Sequence, residues 1–118
     1  MKRDMNLIRA VLIATESLPD DGPSHDISVE GFSEAEVSNH VHLCSEAGFI
    51  DAENLSSLGG ACWIPSRLTY EGHEFLEGIR SDTVWERAKG LALKSTGTLT
   101  IEGLKLALPL VLKSLIGG

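Results

Sequence analysis

The stretch FSEAEVSNHVHLCSEAGFIDAENLSSLGGACWIPSRLTYEGHEFL, residues 32 to 76, decides the architecture. Ser33 and Glu36 stand at capping-box spacing and Phe32 and Val37 can close as a hydrophobic staple, so a helix starts at Ser33. At about 100° per residue, Val37, His40, Val41, Cys44 and Ala47 share one side, with Leu43 at the margin. Ser38, Asn39, His42 and Glu46 share the other. Gly48 follows where a left-handed residue ends a helix, and Phe49-Ile50 resume an apolar run. Residues 49–55 and 62–68 then flank Ser56 to Ala61, whose Gly59 and Gly60 supply the positive backbone angles a hairpin turn needs. Pro65 has no amide hydrogen, which puts the second arm at an edge or at a bulge. Thr69 suits the cap of a further helix beginning at Tyr70, with Phe75, Leu76 and Ile79 facing inward. Gly72, in its first turn, would let a neighbouring backbone approach closely.

Upstream, Met5, Ile8 and Leu12 fall at helical spacing beside Leu7, Val11, Ala14 and Leu18, which predicts a core helix from Asp4 to about Ser17. Pro19-Asp20-Asp21-Gly22-Pro23 cannot continue it, so the chain turns there. Asp26 to Glu30 alternates polar and apolar residues and reads as a brief strand ending at Gly31. Downstream, Ser81 or Asp82 recaps a helix whose Val84, Trp85, Ala88, Leu91 and Ala92 face inward. Thr96-Gly97-Thr98 breaks the chain again, and Thr98 or Thr100 starts a last helix running to Leu115. In that helix Ile101, Leu104, Leu108, Leu112 and Leu115 form a stripe, while Leu106, Leu110 and Val111 cover much of the remaining circumference. This is more apolar surface than one core can cover. The expectation is burial on two sides, by its own domain and by a second copy, with Leu104, Leu108, Val111, Leu112 and Leu115 at the interface of a homodimer.

The capped helix, hairpin and second capped helix follow one another in the order used by winged-helix domains. The fold class expected is therefore α+β and mainly helical, with a winged-helix-like core over residues 1–80 and a C-terminal helical extension over 81–118. One departure stands out: a winged helix places two helices between its first strand and its hairpin, whereas Gly31 to Gly48 has room for one.

Composition bounds the function. At 118 residues the chain fits one domain able to fold without disulfide or metal support. With 17 acidic against 10 basic side chains its formal charge is -7, so a nucleic-acid backbone is repelled on average and any DNA contact needs a local basic patch. Residues 32 to 76 contain a single Lys or Arg, Arg67. Cys44 and Cys62 are the only cysteines and the start Met1-Lys2-Arg3-Asp4 lacks signal-peptide character, which points to a reduced, cytoplasmic setting. The apolar tract Leu104 to Ile116 carries Lys105, Pro109 and Lys113 and falls short of the roughly 20 residues that span a bilayer.

The start Met1-Lys2-Arg3-Asp4-Met5-Asn6-Leu7-Ile8-Arg9, the segment Val37 to Leu43 leading to Glu46-Ala47-Gly48-Phe49-Ile50, and the run Arg67 to Leu76 together resemble a domain-of-unknown-function family of bacterial and prophage proteins that begin M-K-R-D-M. That family is similar in a broad way to winged-helix regulators. The resemblance implies a fold and a bacterial or prophage origin and brings no established activity or catalytic residues; no cofactor is expected.

Two functions are weighed. For a DNA-binding transcriptional regulator, Ser38, Asn39 and His42 would meet base edges, since Asn pairs bidentately with adenine, and Arg67, Arg3 and Arg9 would take phosphates. Against it, no Lys or Arg lies on this helix and Glu34 and Glu46 share the neighbourhood, as on an ordinary solvated face. The alternative is a non-enzymatic interaction module, or a phage-encoded modulator of a host protein, working through its apolar last helix. An enzyme is not expected. His40-x-His42-x-Cys44 suggests a metal string, but on a helix only His40 and Cys44 share a side, and that side is the apolar one, so a core histidine with a satisfied ring is expected instead. Cys62 with His73 lacks a third group, and Glu71, Glu74 and Glu77 mark a wet helix face.

Overall fold

Asp4 opens the first helix: its carboxylate accepts the Asn6 and Leu7 N–H groups at 2.9 and 3.2 Å, and α1 runs Met5–Glu16. In the computed structural model, which describes residues 1–19, 24–55 and 62–116, the chain forms five helices and a two-stranded antiparallel sheet. The expected α+β, mainly helical class is the observed one. Two compact units divide the chain, Met1–Glu74 and Phe75–Gly118.

In the first unit, α1 buries Met5, Leu7, Ile8, Val11 and Leu12 against α2, Glu34–Glu46. The capping box of α2 is complete: Ser33 N–H donates to Glu36 Oε1 at 2.9 Å and Glu36 N–H to Ser33 Oγ at 3.1 Å. Val37, His40, Val41 and Cys44 are buried as the spacing predicts. Ala47, expected among them, is exposed, because it is the C-cap and its N–H closes the last turn on Leu43 O. Gly48 at φ 83° turns the chain out of the helix, and Phe49 N–H returns to Cys44 O at 2.9 Å.

Strands β1, Ile50–Asn54, and β2, Trp63–Leu68, pair antiparallel from Ile50 opposite Leu68 to Asn54 opposite Trp63. The register breaks between Asp51 and Ala52, which face Arg67 and Pro65, so Ser66 is the extra residue of a bulge beside the proline. Its Oγ–H donates to Asp51 O at 3.0 Å across the irregularity. The hairpin turn at Gly59-Gly60 and the turn of residues 20–23 lie outside the described residues.

The strand expected over Asp26 to Glu30 does not form. The alternation is present, with Ile27 and Val29 half-buried between exposed neighbours, and His25 N–H donates to Pro65 O at 3.0 Å. No ladder follows, since two half-covered apolar side chains gain too little to order a third strand. Among the described residues α2 is the one helix between α1 and the hairpin, and residues 24–33 contain no helix that would complete a two-helix reading motif.

Helix α3, Tyr70–Ile79, begins at a clip formed by Thr69. Thr69 N–H donates to Phe49 O at 2.9 Å, its hydroxyl donates to Gly48 O, and the same oxygen accepts Gly72 N–H at 3.1 Å. Gly72 lies so close to the backbone entering β1 that a Cβ there would sit 1.9 Å from Phe49 O. The division between units falls within α3.

In the second unit, α4, Asp82–Thr96, is capped by Ser81 and ended by Gly97 at φ 77°. It packs on α5, Ile101–Ile116, whose start is capped by Thr100 Oγ1 accepting Gly103 N–H at 3.0 Å. Val84, Trp85, Ala88 and Ala92 are buried as expected, and Leu91 is half-buried. No helix of the described residues is long and apolar enough to cross a membrane.

Candidate interaction surface

The candidate base-reading residues sit on α2, and the structure ties two of them to the hairpin. Ser38 Oγ accepts Trp63 N–H at 2.8 Å. The His42 imidazole stacks on the Trp63 indole, with ring centroids 4.1 Å apart and planes 3° from parallel, and its Nε2 lies 3.9 Å from Glu46 Oε1. Both side chains leave the helix on the flank that meets β2, so the expected open face is partly closed by Trp63. Asn39 is half-buried and lies roughly 60° round the helix from His42. No local spacing reveals the stack, since Trp63 reaches His42 only once the hairpin has folded back on α2.

The candidate phosphate-binding cations are already engaged. Arg67 on β2 places Nε 2.8 Å from Asp51 Oδ2 on the facing strand and donates through an η nitrogen to Leu68 O at 3.1 Å. Arg3 precedes α1 and Arg9 lies within it, half-buried; both already have interaction partners. The unit Met1–Glu74 contains 4 Lys and Arg against 13 Asp and Glu, a net -9, and Phe75–Gly118 contains 6 against 4, a net +2. The acidity is thus concentrated in the unit that holds the helix and hairpin.

His40 is fully used inside the fold. Its Nε2 accepts Asp4 N–H at 2.8 Å and its Nδ1–H donates to Glu36 O at 2.8 Å, which sets the neutral tautomer with hydrogen on Nδ1. The expected satisfied core histidine is what the structure contains. Cys44 is buried beside it, and burial pushes its thiol up to about 12. Among the described residues no three His, Cys, Asp or Glu side chains converge as metal ligands.

Two clefts open on the first unit. One of about 320 Å³ is lined by Thr15, Glu16, Leu18, Ser66, Arg67, Leu68 and His73. A smaller one of about 70 Å³ is bordered by Asp26, Glu34, Ser38, exposed Cys62 and Trp63. The first pairs one carboxylate with an arginine already engaged by Asp51; the second carries two carboxylates and a thiol.

The predicted interface on α5 needs correction. Leu104, Leu108 and Val111 are buried within the protomer, at 0%, 8% and 5% exposure, so they belong to the core and are not free to meet a second chain. Leu112 and Leu115 remain exposed, and the most open apolar side chains of the helix lie elsewhere: Leu106 at 74%, Leu110 at 61% and Ile116 at 88%. Of the stripe drawn from spacing, Leu104 and Leu108 are inner and Leu112 and Leu115 open.

Comparison with known proteins agrees with the resemblance carried by the sequence. No solved structure matches the chain. A relative from Haemophilus influenzae, bearing the name "Uncharacterized protein", is 37% identical over 106 residues, covering 89% of this chain and 90% of that protein. Residues 2–98, which hold the capped α2, the hairpin and α3 and α4, match the family described as "Hypothetical protein (DUF2513)", and the chain belongs to that family.

Proposed function

We propose that this protein is a non-enzymatic, dimeric interaction module whose winged-helix-like unit binds a basic surface of another protein, a host factor where the chain is phage-borne. The observation that supports this reading is charge: the helix and hairpin that a winged helix would offer to DNA belong to a unit of net -9, and its arginine on the hairpin is paired with Asp51. Phosphate binding draws on uncompensated cations, and this unit offers an acidic surface instead.

A DNA-binding transcriptional regulator is the second reading. It is favoured by the fully capped α2 followed directly by the hairpin, and it would rest on Asn39, Arg3 and Arg9. A titration of mixed-sequence duplex DNA, followed by fluorescence anisotropy at low and moderate salt, separates the two. Absence of binding at low salt is expected and rejects the DNA reading. Binding that weakens steeply with salt would reject the protein reading. Affinity purification from the native host with nuclease treatment complements it: a stoichiometric protein partner released by high salt is expected, and recovery of nucleic acid alone would count against it.

A further inference from the structure

We infer that a second copy of this chain docks on the outer face of α5 in antiparallel register, with Glu102 of each copy opposite Lys113 of the other; this rests on the dimeric reading above. Leu106 and Leu110 project from that face at 74% and 61% exposure, beside an apolar cleft of about 80 Å³ between α4 and α5 that includes Leu91, Gly103 and Ala107. At 16 residues the helix is about 24 Å long, enough for several turns of side-chain contact.

Charge selects the occupant and its direction. Glu102 lies in the first turn and Lys113 in the last, and the helical repeat places both near the azimuth of Leu106. A two-fold axis crossing α5 between Ala107 and Leu108 sets Glu102 against Lys113 twice, Leu106 against Pro109, and Leu110 against the aliphatic stem of Lys105. A parallel pair would set Glu102 against Glu102 and Lys113 against Lys113. The antiparallel arrangement also opposes the two helix dipoles. The Glu102 side chain is 86% exposed and lies only 4.0 Å from Lys105, a loose contact it can exchange for a new one. A face that carries its own complement at its two ends is what a symmetric, self-recognising interface requires.

Sedimentation equilibrium on the full chain tests this, with circular dichroism to show that the variants fold. The wild type is expected to be dimeric at micromolar concentration. Leu106→Asp combined with Leu110→Asp is expected to give a folded monomer, both side chains being exposed in the protomer. Glu102→Lys and Lys113→Glu singly are each expected to weaken the dimer about tenfold, by turning two attractive pairs into repulsive ones, and the double swap to restore it. A wild type that stays monomeric overturns both the dimeric reading and this inference. A dimer that survives the two Asp substitutions keeps the dimeric reading and overturns this interface. A dimer sensitive to the leucines and indifferent to single charge reversal overturns the antiparallel register. A monomer whose α5 leucines instead mediate binding to vesicles containing anionic lipid assigns the face to a membrane surface and overturns the inference.

Discussion

Gly72 and Gly90 both sit inside helices and have opposite reasons for being glycine. At Gly72 a methyl group would meet Phe49 O at 1.9 Å, and backbone cannot swing away as a side chain can. Gly72→Ala is expected to destabilise the protein by about 1–3 kcal/mol or more, through a displaced first turn of α3. At Gly90 nothing lies within 4 Å, so Gly90→Ala is expected to stabilise α4 by about 0.5–1 kcal/mol. Urea denaturation of the two variants checks both signs. Cys44 supplies a pH dependence. Burial raises its thiol from 9.0 to about 12, so the native state holds the proton that the unfolded chain releases. Stability from this source is fully present below pH 9 and is lost as pH rises toward 12. Tyr70 is also raised, by the hydrogen bond and charge of Glu74, so the Cys44 contribution is read as a difference. The midpoint of denaturation should fall more steeply over this range in the wild type than in Cys44→Ala. Gly72 and His40 were both legible in the sequence, the first from a glycine where a helix must start tightly, the second from its place on an apolar face.

At the level of elements, each predicted helix has the boundary its caps announce. Ser33 accepts the N–H group expected of it, Ser81 and Thr100 are the caps from the two candidates at each start, and Asp4 caps α1 as well; capping is a contest among neighbouring residues that needs no tertiary partner. Ser33→Ala is expected to lower stability by about 1 kcal/mol, measured by thermal or urea unfolding, since it orphans Glu36 N–H while leaving the inner face of α2 intact. The hairpin arms and the irregularity beside Pro65 were also readable, the latter because proline lacks the hydrogen a ladder demands. The strand of residues 26–30 was not. Its alternation is genuine, but a strand is completed by what it pairs with, and among the described residues the backbone hydrogen bond to β2 comes from His25, just outside it.

Across the whole molecule, the two units respond to different losses. Ending the chain at Thr98 removes α5, and with it Leu104, Ala107, Leu108 and Val111 from the second unit's buried set. Tryptic cleavage after Arg87, Lys89 and Lys94 is then expected to run about tenfold faster, while cleavage within α1 and the hairpin changes little. Equal acceleration in both units would show that they unfold together. By itself the sequence determined the order of the helices and the hairpin, the Ser33 cap, the glycine close approach, the buried histidine and the acidic balance, because these follow from neighbours along the chain or from a plain count of charges. Only the tertiary structure decided which side of α5 is core and which is open, that Ser38 and His42 turn toward Trp63, and that Arg67 answers Asp51. A helix apolar on nearly every side does not state which stripe its own protomer covers. Cross-strand and helix–hairpin partners are likewise chosen by register and packing between segments distant in sequence.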